Sequence, residues 1–249
     1  MSINRTNKDV PFIHHELISE WDIKSANTSL MRYYKLADPK LIEKLEKLDK
    51  KDREPAVGKM SRRDKNFSIE LERSFTKIIE EFLAINGLDP EKDIISYKKD
   101  SVFIRNKPVK QNLIGDCVQF VNKNLYTGCL LLPKYEFYYS PNKIDVKGVN
   151  DESLPLHEYG TLAFIRAVME DSRNWIELNQ FMKDFSAAYK KRLLPFDAYR
   201  EFTTSSKFRV NLFGNEVLMD AIDEETLEVT DITFNYINVY LETLKVIAK

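Results

Sequence analysis

The sequence predicts an α+β fold. Apolar residues recur at three- and four-residue spacing from Phe67 to Ile85, the mark of a long amphipathic helix. Runs rich in Val, Ile, Tyr and Phe, separated by turn residues, fill the stretch from Ile94 to about Val149. The two patterns come in blocks rather than in βαβ alternation. At about 150 residues per domain, 249 residues make one large domain or two small ones. The change of pattern divides the chain into an α+β region, 1–150, and a mainly helical region with a small β element, 151–249.

Each element has a local reason. Residues 1–11 read as an arm. Phe12 to Asp22 reads as an imperfectly alternating strand ending on an acid, with Ile13, Leu17 and Trp21 as apolar anchors. LMRYYKL is expected to form a short helix. Asp38-Pro39 opens another, with Asp as N-cap and Pro in the first turn; Leu41, Ile42, Leu45 and Leu48 mark its apolar face. The long helix carries Phe67, Leu71, Phe75, Ile78, Ile79, Phe82 and Ile85 and stops at Asn86-Gly87. Strands follow in IISYKKDSVFIR, CVQFVNKNLYTGCLLL, YEFYYS and KIDVKGV. From Leu156 to Leu194 the pattern is helical, with Trp175, Leu178, Phe181, Met182, Phe185 and Tyr189 on one core-facing stripe. The end of the chain mixes strands (FRVNLFG, EVLMDAI, EVTDITFNY) with a closing helix, INVYLETLKVIAK.

Composition excludes several function classes. The 38 Lys+Arg balance 39 Asp+Glu, a net charge of −1, so the chain is no generally basic nucleic-acid coat, although a local basic patch is compatible with it. Gly numbers only 7, and neither G-x-G-x-x-G nor G-x-x-x-x-G-K-[ST] occurs, which removes the two commonest nucleotide-binding fingerprints. Only His14, His15 and His157 supply imidazole, little for a zinc site or a His-based triad. His157, beside Glu158, reads as a surface histidine. Cys117 and Cys129 form no C-x-x-C pair and are expected to be free thiols in a reducing compartment. No apolar targeting core opens the chain, and the apolar run Cys129–Leu132 is far short of the ~20 residues a bilayer requires. The expectation is a cytoplasmic protein with no membrane partner.

Two acids stand out. Asp22 ends a strand and opens DIKSAN; Asp100 lies in IISYKKDSVFI, at or beside the tip of an expected hairpin. Placed side by side in one sheet, they would form a hard-oxygen site suited to Mg²⁺ or Mn²⁺. Between them lies KKDREPAVGKMSRR, whose cations (Lys50, Lys51, Arg53, Lys59, Arg62, Arg63) suit a triphosphate.

In this order the segments resemble the palm of template-dependent nucleic-acid polymerases. DIKSANTSLM resembles motif A, KKDREPAVGKM loosely resembles the motif B helix, and YKKDSVFI is similar to motif C. The resemblance covers about residues 12–105 and implies a palm-like mixed or antiparallel sheet packed with helices. It implies that Asp22, Asp100 and the backbone carbonyl of Ile23 hold the metals. It places Arg53 and Lys59 on the phosphates, and Ser25 and Asn27 near the incoming sugar. This sequence departs from the family in having Lys99 and Ser101 beside Asp100, and Pro55 within the motif B-like segment.

Each feature also has an ordinary role. Asp22 can cap the helix that begins near Ser25, Asp100 can serve as a turn residue, and the basic run can be a solvated helix face. Tyr126, Tyr135, Phe137, Tyr138 and Tyr139, interleaved with Lys123, Lys134 and Lys143, suit either base stacking or the alternation of a sheet. The leading expectation is a polymerase-like nucleotidyltransferase acting on a nucleoside triphosphate and a nucleic-acid acceptor. The alternative is a non-catalytic palm-like binding or assembly protein. In a related variant, a protein partner supplies missing polymerase elements.

Overall fold

A computed structural model describes residues 4–133, 135–147 and 162–170, the isolated positions 180, 183, 184, 187, 188, 191, 193, 243 and 246, and the backbone of 209–212 and 215–218. The protein is mixed α+β, and every strand pair with a described register is antiparallel. The chain forms two compact units, one of Met1–Val10 with Glu16–Tyr126, the other of Pro11–His15 with Thr127–Lys249.

The first unit holds β1 (Asn4–Thr6), most of β2 (Phe12–Ile23), α1 (Ala26–Tyr33), α2 (Pro39–Glu46), α3 (Lys50–Arg63), α4 (Lys65–Asn86), β3 (Ile94–Lys98), β4 (Ser101–Arg105), β5 (Leu113–Ile114) and the first part of β6 (Val118–Leu131). Its strands run in the order β1-β3-β4-β2-β6, with β5 on β6. Leu17 is 52% exposed whereas Ile18 is fully buried, contrary to the expected anchor. His15, in left-handed backbone at φ 56, breaks the period-two alternation just before it, so the inward set shifts by one residue.

Local chemistry accounts for the helix ends. The Asp38 carboxylate accepts the Lys40 N–H at 2.8 Å, and Asp64 accepts those of Asn66 and Phe67 at 2.9 and 3.1 Å. Gly87, at φ 63, ends α4 in the left-handed conformation that glycine adopts without penalty. Pro55 neither interrupts nor restarts α3, which runs unbroken over 14 residues.

α4 supplies the unit's packing face: Leu71, Phe75, Ile78, Ile79, Phe82 and Leu83 are buried, while Ile85 turns outward. Phe82 stacks on Phe120 of β6 with ring centroids 3.9 Å apart. Buried Asn86 closes the end of the helix: its amide donates to the Phe82 and Gln111 carbonyls, and its oxygen accepts from the Lys110 and Gln111 N–H groups. In α2, Ile42 and Leu45 are buried and Leu41 is exposed; Leu48 lies beyond the end of the helix and is exposed too.

The second unit contains the remainder of β6, then β7 (Glu136–Ser140), β8 (Lys143–Lys147), α5 (Ala163–Glu170) and the hairpin of β9 (Arg209–Leu212) and β10 (Asn215–Leu218). Phe164, Ile165, Val168 and Met169 of α5 are buried with Leu130, Phe137 and Tyr139. The stripe Trp175–Tyr189, His157, the strand EVTDITFNY and most of the closing helix lie outside the described residues. Among the described residues, no helix is long and apolar enough to cross a membrane.

Candidate functional site

The site begins with a register. β4 pairs with β3 on one side and β2 on the other, and Asp22 stands opposite Ser101. The β3–β4 connection is the two residues Lys99-Asp100, with Lys99 in left-handed backbone at φ 44. The Ile23 N–H donates to the Asp100 carbonyl at 3.0 Å, tying the end of β2 to the turn. Asp22 and Asp100 are thereby brought to one place by adjacent strands, and both line a cavity of about 610 Å³.

The Ser101 hydroxyl donates to Asp22 Oδ1 at 3.0 Å, and the Lys123 ammonium, reaching over from β6, donates to Oδ2 at 3.2 Å. These are the roles of the Asp22 side chain; the cap of α1 is Ser25, in left-handed backbone and without a side-chain capping bond. Burial pushes the Asp100 carboxyl above its ordinary range, and the charge of Asp22 pushes it further. Burial works against the charge of Lys123, yet its hydrogen bond to Asp22 and the nearby carboxylates of Asp22, Glu20 and Asp100 hold its ammonium above the ordinary value.

α3 supplies a second set of groups to the same cavity. Lys50, Arg53, Glu54, Val57, Gly58 and Ser61 line it, a spacing that places them on one face of the helix. Val57 is buried and anchors that face in the core. Lys24 and Lys99 add two more cations, and the Lys99 ammonium lies 4.9 Å from the centroid of the Phe75 ring, itself a lining residue. Ile23, Ser25 and Asn27 complete the list of expected site residues found at this cavity.

Lys59 is the exception. It is exposed on α3 and absent from the cavity lining, because six residues beyond Arg53 a helix has turned by about 240°. Sequence reasoning also missed Lys123 as a partner of Asp22. The interleaved aromatics of the strands are core: Tyr126, Phe137, Tyr138 and Tyr139 are buried, and Tyr126 donates its hydroxyl to buried Glu20 at 2.8 Å. Cys117 is partly exposed, Cys129 is buried, and neither forms a disulfide.

The arrangement presents three carboxylates (Asp22, Glu54, Asp100) beside four cations (Lys24, Lys50, Arg53, Lys99) in one concave site. Such a site suits a polyanion that brings or shares a hard cation. No curated protein matches the chain. One family model matches, that described as the Bacteriophage PBS1 gene 130 protein, and it covers residues 2–249. The chain, matched over nearly its whole length, therefore belongs to the Bacteriophage PBS1 gene 130 protein family.

Proposed function

We propose that the cavity is the active site of a polymerase-like nucleotidyltransferase with a palm-like sheet. In this reaction an acceptor hydroxyl attacks the α-phosphate of a nucleoside triphosphate. The new bond is a phosphodiester, the hydroxyl proton passes to solvent, and pyrophosphate leaves. One observation carries the reading: the carboxylates of Asp22, near the end of β2, and Asp100, in the adjoining β3–β4 turn, share a cavity with the Lys50 and Arg53 face of α3. The strand order β3-β4-β2, with the acid-bearing turn beside the acid-ended strand, supports the palm likeness.

The donor set fits a hard divalent cation. The lining offers carboxylate and backbone oxygens and neither His nor Cys, and Mg²⁺ is commonly held by one or two carboxylates with substrate phosphates completing its shell. Asp22, Asp100 and the Ile23 carbonyl would hold Mg²⁺ or Mn²⁺, which when bound supplies hydroxyl activation and charge neutralisation at the leaving pyrophosphate. The chain's own residues do the rest by positioning and electrostatics. Lys50 and Arg53 take the outer phosphates, Arg53 with a planar fork that matches two oxygens at once. Ser25 and Asn27, at the start of α1, face the sugar end.

The test is extension of a labelled primer on DNA and RNA templates with Mg²⁺ or Mn²⁺. Wild type should extend it, Asp22→Ala and Asp100→Ala should each abolish extension, and Arg53→Ala should raise the KM for nucleotide. Absence of incorporation by folded wild type under all these conditions overturns the enzyme reading.

A second reading has its own observation: both oxygens of Asp22 are engaged, by Ser101 and Lys123. It assigns a non-catalytic palm-like binding or assembly role, in which a nucleotide or nucleic acid binds without turnover, or a protein partner supplies the missing polymerase elements.

A further inference from the structure

We infer that Lys123 is a tethered counter-ion that competes with a divalent cation for Asp22, and so sets how strongly the site holds metal before a phosphate ligand arrives. The inference rests on the metal-dependent reading above and deepens it. Lys123 Nζ stands 3.2 Å from Asp22 Oδ2, while Ser101 Oγ occupies Oδ1. A carboxylate keeps further lone pairs after accepting two hydrogen bonds, so Asp22 remains able to coordinate. A dication placed there, however, meets an ammonium already in contact with the same group, and the two repel.

The stem of Lys123 permits displacement. Its side chain is 51% exposed whereas that of Asp22 is 24% exposed, so the ammonium can leave toward water while the carboxylate stays in the site. Ser101, by contrast, is held in β4 opposite Asp22, and its hydroxyl keeps the carboxylate oriented whichever cation is present. Lys24 and Lys99 line the same cavity and further disfavour a bare dication. A triphosphate cancels that repulsion, so metal and nucleotide are expected to bind with positive coupling.

The test is Mn²⁺ titration of the full chain, read by loss of the free-ion paramagnetic resonance signal, with no nucleotide present. Lys123→Gln should bind Mn²⁺ about two- to fivefold more tightly than wild type, the scale of a partly exposed ion pair. Lys123→Arg, which retains the positive charge, should not bind it more tightly than wild type. The gain should vanish when Lys123→Gln is combined with Asp22→Asn. Equal affinity in wild type and Lys123→Gln, with binding lost in Asp22→Asn, overturns the competition and leaves the metal site standing. A gain that survives in the double variant overturns it as well. Absence of Mn²⁺ binding in every variant, Lys123→Gln included, overturns the metal reading and the inference with it.

Discussion

Asp100 is half-buried in a two-residue turn with Asp22 on the strand beyond, and both conditions disfavour its charged form. Its carboxyl is therefore raised in the folded state relative to the unfolded chain, and the folded state binds more protons between the two values. The contribution of Asp100 to stability is accordingly most favourable below the unfolded carboxylate range, declines as pH rises through the raised value, and stays reduced above it. Asp100→Asn removes that dependence. At neutral pH the variant should unfold at higher denaturant than wild type, and the difference should close as pH falls into the acid range. Paired urea titrations across pH measure this, and an Asn variant less stable at pH 7 would contradict it. Lys123 shows what residue-level reading loses. Its sequence surroundings, VNKNLY, are those of any strand, and only the place of β6 beside β2 brings it to Asp22.

At the scale of elements, legibility followed the range of the physical signal. The hairpin was legible because two β-rich runs flank Lys98-Lys99-Asp100, and α4 because seven apolar residues repeat at helical spacing before Asn86-Gly87. Six of the seven site residues named from sequence line one cavity, yet the pairing of Asp22 with Ser101 is a long-range fact that no local pattern encodes. Leu17 was misplaced because the left-handed residue that resets the alternation is a histidine, not a glycine that would have announced it. α3 went against its local signal: a proline in a helix interior removes a hydrogen bond and crowds the preceding turn. Pro55→Ala should therefore stabilise the protein by about 1–3 kcal/mol, less than the full proline penalty because alanine also loosens the unfolded chain. Thermal unfolding checks the sign. An unchanged or lowered midpoint would mean that α3 gains nothing from a continuous ladder there.

Across the whole molecule, 38 cations against 39 anions leave almost no net field to draw a polyanion from a distance. The four cations of the cavity act instead at short range, beside three carboxylates that include Glu54. Salt screens such a cluster only in part where the groups are withdrawn from water, with a Debye length of about 10 Å at 0.1 M. Nucleoside triphosphate affinity should fall several-fold between roughly 0.05 and 0.5 M salt, while the association rate changes less. Stopped-flow binding across that range separates the two; a salt effect confined to the association rate would assign recognition to the outer surface.

The two-residue connection between β3 and β4 also bears on how this family can vary. Lys98 pairs with Ser101, so an inserted residue in the turn has no slack to enter: it lengthens the loop and moves Asp100 away from Asp22. Across descendants of this chain, length should stand fixed at the turn, so that a gap or insertion between positions 98 and 101 marks a lineage in which the two acids no longer share one cavity.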